Sequence, residues 1–302
     1  MSNHQTERLI QPEDLQVLLE SSSKHTLPKV LDASWHMPAT GRRPKEEFLQ
    51  GHIPGAQFFD IDLLSDPSSP YPHMLPSPET FSVSMGQMGI SRDDHVIVYD
   101  QSDVASAARA FWMFKVFGHA QVSLLDGGWK GWKEMGGKLA SGPPSIPTPK
   151  NYHACPQSRL LVTYDQVVAN TSLPSPKRAI LLDSRSPGRF SGREPEPRPN
   201  LPSGHIPYGI NLPFRQLLDP KTGKYKSPEE LQKILSPAAP LTQPIITSCG
   251  SGVTACVLWF GLLHAGAHQV AVYDGSWSEY AAKEGSAIAR NEDKVEAVEG
   301  QV

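Results

Sequence analysis

Residues 245–256 read Ile245-Ile246-Thr247-Ser248-Cys249-Gly250-Ser251-Gly252-Val253-Thr254-Ala255-Cys256, which is a short β-type run, a cysteine with two glycines, and the start of an apolar helical run. A strand that turns tightly into a helix is the repeating unit of parallel α/β folds. Such a turn aims backbone N–H groups and the positive end of the helix dipole at the cysteine sulfur, and both stabilise a thiolate. We therefore predict that Cys249 is a nucleophile, whereas Cys256 is expected to be a buried apolar filler.

The chain is a duplication, because four motifs of its first half recur in the same order about 150 residues later. The pairs are Leu31-Asp32-Ala33-Ser34 with Leu182-Asp183-Ser184-Arg185, Gly51-His52-Ile53-Pro54-Gly55 with Gly204-His205-Ile206-Pro207, His95-Val96-Ile97-Val98-Tyr99-Asp100 with Pro244-Ile245-Ile246-Thr247-Ser248-Cys249, and Leu125-Asp126-Gly127-Gly128-Trp129 with Tyr273-Asp274-Gly275-Ser276-Trp277. Short β-rich runs alternate with helical runs in each half, which predicts a parallel sheet flanked by helices. The predicted fold class is therefore α/β, with two such domains in tandem.

Changes in composition indicate the domain boundaries. Residues 1–140 form the predicted N-terminal domain, the Pro-rich residues 141–157 a stiff linker, and residues 158–285 the C-terminal domain. A polar tail over residues 286–302 is expected to fray. Asp100 stands where the second half has Cys249, and a carboxylate cannot do thiol chemistry. The C-terminal domain is therefore predicted to be catalytic and the N-terminal domain non-catalytic.

Bulk composition excludes several classes of function. The 302 residues carry 28 basic and 31 acidic side chains, so the net charge of −3 offers no basic surface for nucleic acid. No apolar run approaches the roughly 18 residues of a membrane span. Three cysteines at wide spacing are not a disulfide framework and indicate a reducing compartment. Because the N-terminus shows no clear targeting signal, the expected location is cytoplasmic, with a mitochondrial location left open.

Three motifs are shared with a known family. Gly51-His52-Ile53-Pro54-Gly55-Ala56, Asp274-Gly275-Ser276-Trp277 and the loop that begins at Cys249 together resemble the tandem-domain rhodanese family, most closely its 3-mercaptopyruvate sulfurtransferase branch, over about Val30 to Tyr280. The resemblance implies two rhodanese-like domains and an enzyme that moves sulfane sulfur from 3-mercaptopyruvate, through a Cys249 persulfide, to a thiol or cyanide acceptor and releases pyruvate. It implies no metal and no cofactor besides this covalent intermediate.

The resemblance also implies a proton relay beside the nucleophile, in which Ser251 pairs with His73 and His73 pairs with Asp62. A histidine that titrates near neutrality can move the proton that a pyruvate enolate needs, while a carboxylate fixes its tautomer. Asp60 is the rival carboxylate. Without the resemblance, His73 reads as an exposed loop histidine beside a solvated aspartate.

Substrate contacts are expected from arginines and from the loop backbone. The family's substrate loop matches a segment in which Arg189 and Arg198 take the positions that hold an α-keto acid. Arg193 does not match an anchoring position. The alternative is a solvated charge cluster of these arginines with Glu194 and Glu196. The backbone N–H groups after the cysteine are expected to stabilise thiolate and persulfide, which adds the contact residues Gly250, Gly252, Val253 and Thr254.

Other activities stay open at this level. Thiosulfate-preferring rhodaneses usually carry Arg and Lys after the cysteine, where this chain has the uncharged Gly250 and Ser251, so thiosulfate transfer is the second choice and an expected side activity. A persulfide carrier that feeds tRNA thiolation needs the same loop without the arginines. A Cys-x5-Arg phosphatase needs an arginine where this chain has Ala255. The expected partners are a small-molecule sulfur donor and a thiol acceptor such as thioredoxin or a sulfur-carrier protein, with no direct nucleic acid and no membrane.

Overall fold

The strands pair into two parallel sheets, one in each half of the chain. The computed structural model describes residues 9–21, 27–102 and 104–290. The first half contains β1 (Leu9–Ile10), β2 (Lys29–Asp32), β3 (Gln57–Phe58), β4 (Val96–Tyr99) and β5 (Val122–Leu125). The second half contains β6 (Leu161–Val162), β7 (Ile180–Asp183), β8 (Ile210–Asn211), β9 (Ile245–Ser248) and β10 (Val270–Tyr273). The spatial orders β1-β5-β4-β2-β3 and β6-β10-β9-β7-β8 are equivalent, which confirms the predicted α/β fold of two tandem domains.

Helices of similar length flank the two sheets. In the first half they are α1 (Pro12–Ser21), α2 (Pro44–Gln50), α3 (Pro78–Gln87), α4 (Ala107–Val116) and α5 (Gly128–Glu134). In the second half they are α6 (Tyr164–Ser172), α7 (Pro187–Ser191), α8 (Pro228–Leu235), α9 (Ala255–His264) and α10 (Ser276–Tyr280). Capping boxes begin α6 and α8, with Thr163 and Ser227 as the N-cap residues. Within the described ranges, no helix has the length and apolar character to cross a membrane.

The two domains share one apolar core. α4 and α9 pack against each other, and the Phe111 ring meets the Phe260 ring edge-on with 5.0 Å between centroids. The largest cluster of buried apolar side chains accordingly extends through both halves. This packing brings a loop of each domain against the other domain, which matters for the site described below.

The Pro-rich segment 141–157 lies along the N-terminal domain. Its Lys150 backbone N–H donates to Gly86 O at 2.9 Å, and its Cys155 N–H donates to Phe117 O at 2.9 Å. Tyr152 is buried between these points. The segment is therefore a spacer that is fixed to one domain by backbone hydrogen bonds.

The expectation of a frayed polar tail is wrong for its first residues. Ala289 and His205 exchange two backbone hydrogen bonds of 2.9 Å in an antiparallel bridge, and Ser286 Oγ meets the Tyr164 hydroxyl at 2.9 Å. Polar composition does not reveal this contact because the bridge is made by backbone atoms, which every residue has. Residues 291–302 of the expected tail lie outside the described residues.

Candidate active site

Cys249 lies at the carboxyl end of β9, in the loop that leads into α9. The residue is buried, with 2 % of its surface exposed. Its backbone N–H donates to Ser276 Oγ at 3.0 Å, and the same hydroxyl lies 4.0 Å from its sulfur. The expected donation from backbone N–H groups of residues 250–255 to the sulfur is not made in the described part of the chain. The nearest polar side chain to the sulfur is the Ser276 hydroxyl, at 4.0 Å.

The N-terminal domain supplies a histidine and a carboxylate to this loop. In the segment between β3 and α3, His73 places Nδ1 3.0 Å from Ser251 Oγ, and its Nε2 lies 2.9 Å from Asp62 Oδ1. The structure therefore brings together the three residues of the expected relay. Asp60 does not compete for the imidazole, because its Oδ1 accepts the backbone N–H groups of Asp62 and Leu63 at 3.1 and 3.2 Å.

The surroundings of His73 suit both of its protonation states. Its side chain is buried, and its ring meets the edge of Trp35 at 4.9 Å between centroids. Nδ1 also lies 3.3 Å from the Ser251 carbonyl oxygen, which can only accept, so a proton on Nδ1 is stabilised, whereas a neutral Nδ1 can accept from the Ser251 hydroxyl. Burial works to raise the pKa of Asp62, but the hydrogen bond and charge of His73 and the Trp35 N–H hold that pKa below its ordinary value. The imidazole therefore lies between the Asp62 carboxylate and the Ser251 hydroxyl.

Two guanidinium groups lie over the first residue of the loop. A Cβ atom placed on Gly250 would lie 2.9 Å from Arg189 Nη2 and 3.9 Å from Arg198 Nη1. Burial and the charge of Arg189 lower the pKa of Arg198, while the nearby Cys249 opposes this shift. The structure therefore brings both predicted anchoring arginines beside the nucleophile, and the small side of Gly250 gives them room.

Arg189 is held by a buried carboxylate that sequence reasoning assigned only to a solvated cluster. Glu196, with 2 % of its side chain exposed, accepts from Arg189 Nη2 at 2.5 Å and from Arg189 Nε at 3.2 Å, and from Arg185 Nη1 at 2.8 Å. The Nε edge of Arg189 is therefore occupied, and a ligand has to approach its outer edge. Arg193 lies apart from this group, since it is exposed and donates to Ser191 Oγ at 3.1 Å.

The remaining loop residues have local structural contacts. Gly252 has φ +79°, and a Cβ there would lie 2.6 Å from Asp274 O, so the turn requires glycine. Val253 is buried, and Thr254 Oγ1 lies 2.7 Å from Ser184 Oγ just before α9 begins. These contacts fix the path of the loop around the sulfur.

In the equivalent loop of the first half, the Asp100 carboxylate accepts the backbone N–H groups of the loop. Asp100 Oδ1 accepts the Ser102 N–H at 2.9 Å, and Oδ2 accepts the Ala107 N–H at 2.6 Å. Burial raises the pKa of Asp100 to about 6, against an opposing effect of these N–H groups. A cavity of about 560 Å³ lies over this carboxylate. The first half therefore keeps a cavity at the position equivalent to the Cys249 site, with an aspartate in place of the cysteine.

Sequence reasoning missed Ser276 as a neighbour of the sulfur, although its motif was noted. Its hydroxyl is fully buried, accepts from Cys249 N–H and donates to Tyr273 O at 2.8 Å. The available signal was the pair of duplicated motifs, in which the first half has Gly128 and the second half Ser276. Glu196 carried no such signal, because its burial depends on how α7 packs.

Known proteins share both the sequence and this arrangement. The description "Rhodanese-like domain" matches residues 22–135 and 164–283. The chain is 44 % identical over 255 residues to human 3-mercaptopyruvate sulfurtransferase, covering 83 % of this chain and 84 % of that protein. It is 46 % identical over 256 residues to mouse thiosulfate sulfurtransferase, with the same coverage. The crystal structure of SseA from Escherichia coli, described with the fold and mechanism of 3-mercaptopyruvate sulfurtransferases, superimposes with a TM-score of 0.79 at 36 % identity and covers 90 % of this chain and 99 % of that one. The chain therefore belongs to the rhodanese-like family, with two copies of the domain in tandem.

Proposed function

We propose that this chain is a sulfurtransferase that moves sulfane sulfur from 3-mercaptopyruvate, through a persulfide on Cys249, to a thiol or cyanide acceptor and releases pyruvate. The observation that carries the proposal is the joint site, in which His73 of one domain reaches Ser251 of the other beside the buried cysteine. The names of the relatives support the same reaction class.

In the first half-reaction the Cys249 thiolate attacks the thiol sulfur of mercaptopyruvate. The new S–S bond forms as the substrate C–S bond breaks, and the electron pair of that bond becomes the enolate of pyruvate. The thiol proton passes through Ser251 and His73 to the enolate carbon, which gives pyruvate and a Cys249 persulfide anion. A thiolate or cyanide then attacks the outer sulfur and restores the Cys249 thiolate. No metal or organic cofactor takes part in these steps.

The two arginines are proposed to bind the carboxylate and keto oxygen of the substrate. Their guanidinium groups lie over Gly250, the residue that follows the nucleophile, so a small α-keto acid bound there would have its thiol close to Cys249. Because Glu196 occupies the Nε edge of Arg189, the carboxylate is expected on the outer edge, shared with Arg198. The backbone N–H groups of Gly250, Gly252, Val253 and Thr254 would meet the outer sulfur once it is present.

Thiosulfate is proposed as a side substrate. Overall identity does not choose between the two donors, since relatives of both names are about equally similar. The loop favours mercaptopyruvate, because the uncharged Gly250 and Ser251 attract the thiosulfate dianion less strongly than cationic side chains would. The proposed acceptor is a thiol, such as thioredoxin or a sulfur-carrier protein, in the cytoplasm or the mitochondrion. A non-catalytic carrier for tRNA thiolation is less favoured, because it would not need the relay or the arginines.

The test of the reaction is steady-state kinetics with mercaptopyruvate and thiosulfate side by side, together with the mass of the protein after donor treatment. We expect pyruvate release and a mass gain of one sulfur atom, with the gain lost in Cys249→Ser. Cys256→Ser is the matched control and keeps the gain, because Cys256 is fully buried as the second residue of α9. A gain retained in Cys249→Ser contradicts the assignment, and inactivity with both donors favours the carrier.

The substrate clamp has a separate test. Arg189→Ala and Arg198→Ala are expected to raise the KM for mercaptopyruvate by roughly 10- to 100-fold, the equivalent of one charge-assisted hydrogen bond. The KM for thiosulfate should rise much less. Arg193→Ala is the control, with KM values within about twofold of wild type. Equal increases for both donors would argue against a carboxylate clamp.

A further inference from the structure

A buried arginine of the N-terminal domain reaches the backbone on both sides of the His73–Ser251 hydrogen bond. Arg109, in α4, has 1 % of its side chain exposed and donates from Nη1 to Asp274 Oδ1 at 2.6 Å. Its Nη2 donates to the His73 carbonyl, and its Nη1 lies 3.5 Å from the Gly252 carbonyl. One guanidinium thus joins the histidine loop of one domain to the cysteine loop of the other.

Docking of the loop does not by itself require the arginine. Asp274 Oδ2 accepts the backbone N–H of Leu75 at 2.8 Å, which fixes the loop two residues after His73. The equivalent aspartate of the first half makes the same contact, since Asp126 Oδ1 accepts the backbone N–H of Tyr225, in the C-terminal domain, at 2.9 Å. An aspartate that holds the loop of the other domain is therefore common to both halves.

Arg109 has no arginine counterpart at the equivalent position of the second half. Counted from Ser106 and Thr254, the residues that precede α4 and α9, the position of Arg109 is taken in the second half by Val257, which is fully buried. A valine therefore suffices for packing at this place. Burial of an ion pair is a poor source of stability, since desolvation offsets most of the attraction. What Arg109 adds is a bond to the carbonyl of the relay histidine.

We propose that Arg109, held by Asp274, is a positioning residue that keeps His73 Nδ1 within hydrogen-bond distance of Ser251. His73 has φ +61°, a backbone conformation that costs a residue with a Cβ about 1–2 kcal/mol. A donor on its carbonyl restrains that conformation from inside the protein. The inference rests on the proposed function, because the position of His73 affects turnover only if His73 moves a proton.

The test combines variants of the pair with loss of the histidine. Arg109→Met and Asp274→Asn are expected to lower kcat with mercaptopyruvate by roughly 10- to 100-fold, the size of effect that a small misplacement of a reacting group produces. The KM should stay within about twofold, since Arg189 and Arg198 are untouched. Arg109→Lys, which keeps the charge, should retain more activity than Arg109→Met. In a His73→Asn background, Arg109→Met should cause no further loss of kcat.

Asp126→Asn is the matched control for Asp274→Asn. It removes the corresponding loop contact on the other side of the interface and should leave kcat within about twofold of wild type, even where the thermal midpoint falls by a similar amount. Equal losses of kcat in the two aspartate variants would overturn the proposal, as would a full additional loss from Arg109→Met in the His73→Asn background.

A readout without turnover separates this inference from the proposed reaction. The ¹⁵N chemical shifts of the His73 ring report whether Nδ1 is hydrogen-bonded, and they should change in Arg109→Met and Asp274→Asn but not in Asp126→Asn. If wild type releases no pyruvate, the proposed reaction fails while these shifts still decide the positioning. Unchanged ring shifts in Arg109→Met would refute the role of Arg109 whatever the activity.

Discussion

The partly buried carboxylate of Asp100 should make the stability of the protein depend on pH in a direction opposite to that of most aspartates. Its pKa in the folded protein is about 6, against an ordinary value of 3.8. At about pH 3 and below, under its ordinary pKa of 3.8, the group is mostly protonated in both states and has little effect. Between pH 4 and pH 6 the unfolded chain loses the proton first, so unfolding becomes more favourable as pH rises. A difference of two pKa units corresponds to about 3 kcal/mol, present in full above pH 6.

Asp100→Asn removes this dependence and isolates it from other groups. The difference in unfolding free energy between the variant and wild type should grow in favour of the variant by about 3 kcal/mol from pH 3 to pH 7. The lost hydrogen bond to a loop N–H adds an offset that does not change with pH. The charge of Asp32 contributes to the raised pKa of Asp100, so its effect is part of the measured difference. Urea unfolding at four pH values, followed by fluorescence and far-UV circular dichroism with equal m-values, measures the difference. A difference that stays flat or falls with pH refutes the reasoning.

Two further predictions concern the loop and its hydroxyl neighbour. Changing Gly250 and Ser251 to Arg and Lys should raise kcat/KM for thiosulfate relative to kcat/KM for mercaptopyruvate. Cations then replace neutral groups, the relay hydroxyl is lost, and a Cβ at position 250 forces Arg189 to move. An unchanged ratio would show that these two residues do not select the donor. Ser276→Ala and Ser276→Gly both remove the hydroxyl from Cys249 N–H, but alanine keeps a Cβ at φ +50°, so Ser276→Gly should be more stable by roughly 1 kcal/mol in thermal or urea unfolding. The idea of backbone strain at this position fails if the alanine variant is the more stable one.

The central strands follow from the sequence because their signals are local. Val96–Tyr99 and Val270–Tyr273 are short apolar runs rich in β-branched or aromatic residues, and duplication shows that both halves have the same topology. The contact of Ala289 with His205 could not be predicted in this way. It depends on where two distant backbone segments meet, which no local pattern records.

Some residues of the candidate site can be recognised from the local sequence, and others cannot. Cys249 is visible from the local strand, turn and helix, whereas His73 and Ser251 are 178 residues apart and come together through domain packing. The family resemblance identified that pair, since spacing alone does not. The Glu196 contact was anticipated as a solvated cluster because charge counts contain no information on burial. In the structure Glu196 is buried, where it orients Arg189 and leaves only the outer edge of that guanidinium open to a ligand.

Comparison of the two halves locates backbone strain at two residues that contact the Cys249 loop. His73 and Ser276 adopt positive φ angles of 61° and 50°, and the corresponding positions of the non-catalytic side are Gly223 at 72° and Gly128 at 51°. The backbone path is therefore the same on both sides, and glycine follows it without strain. The catalytic side accepts about 1–2 kcal/mol at each place for a side chain that reaches the Cys249 loop. Glycine would follow the same path without this cost, so we expect His73 and Ser276 to act through their side chains, which contact Ser251 Oγ and the Cys249 N–H respectively.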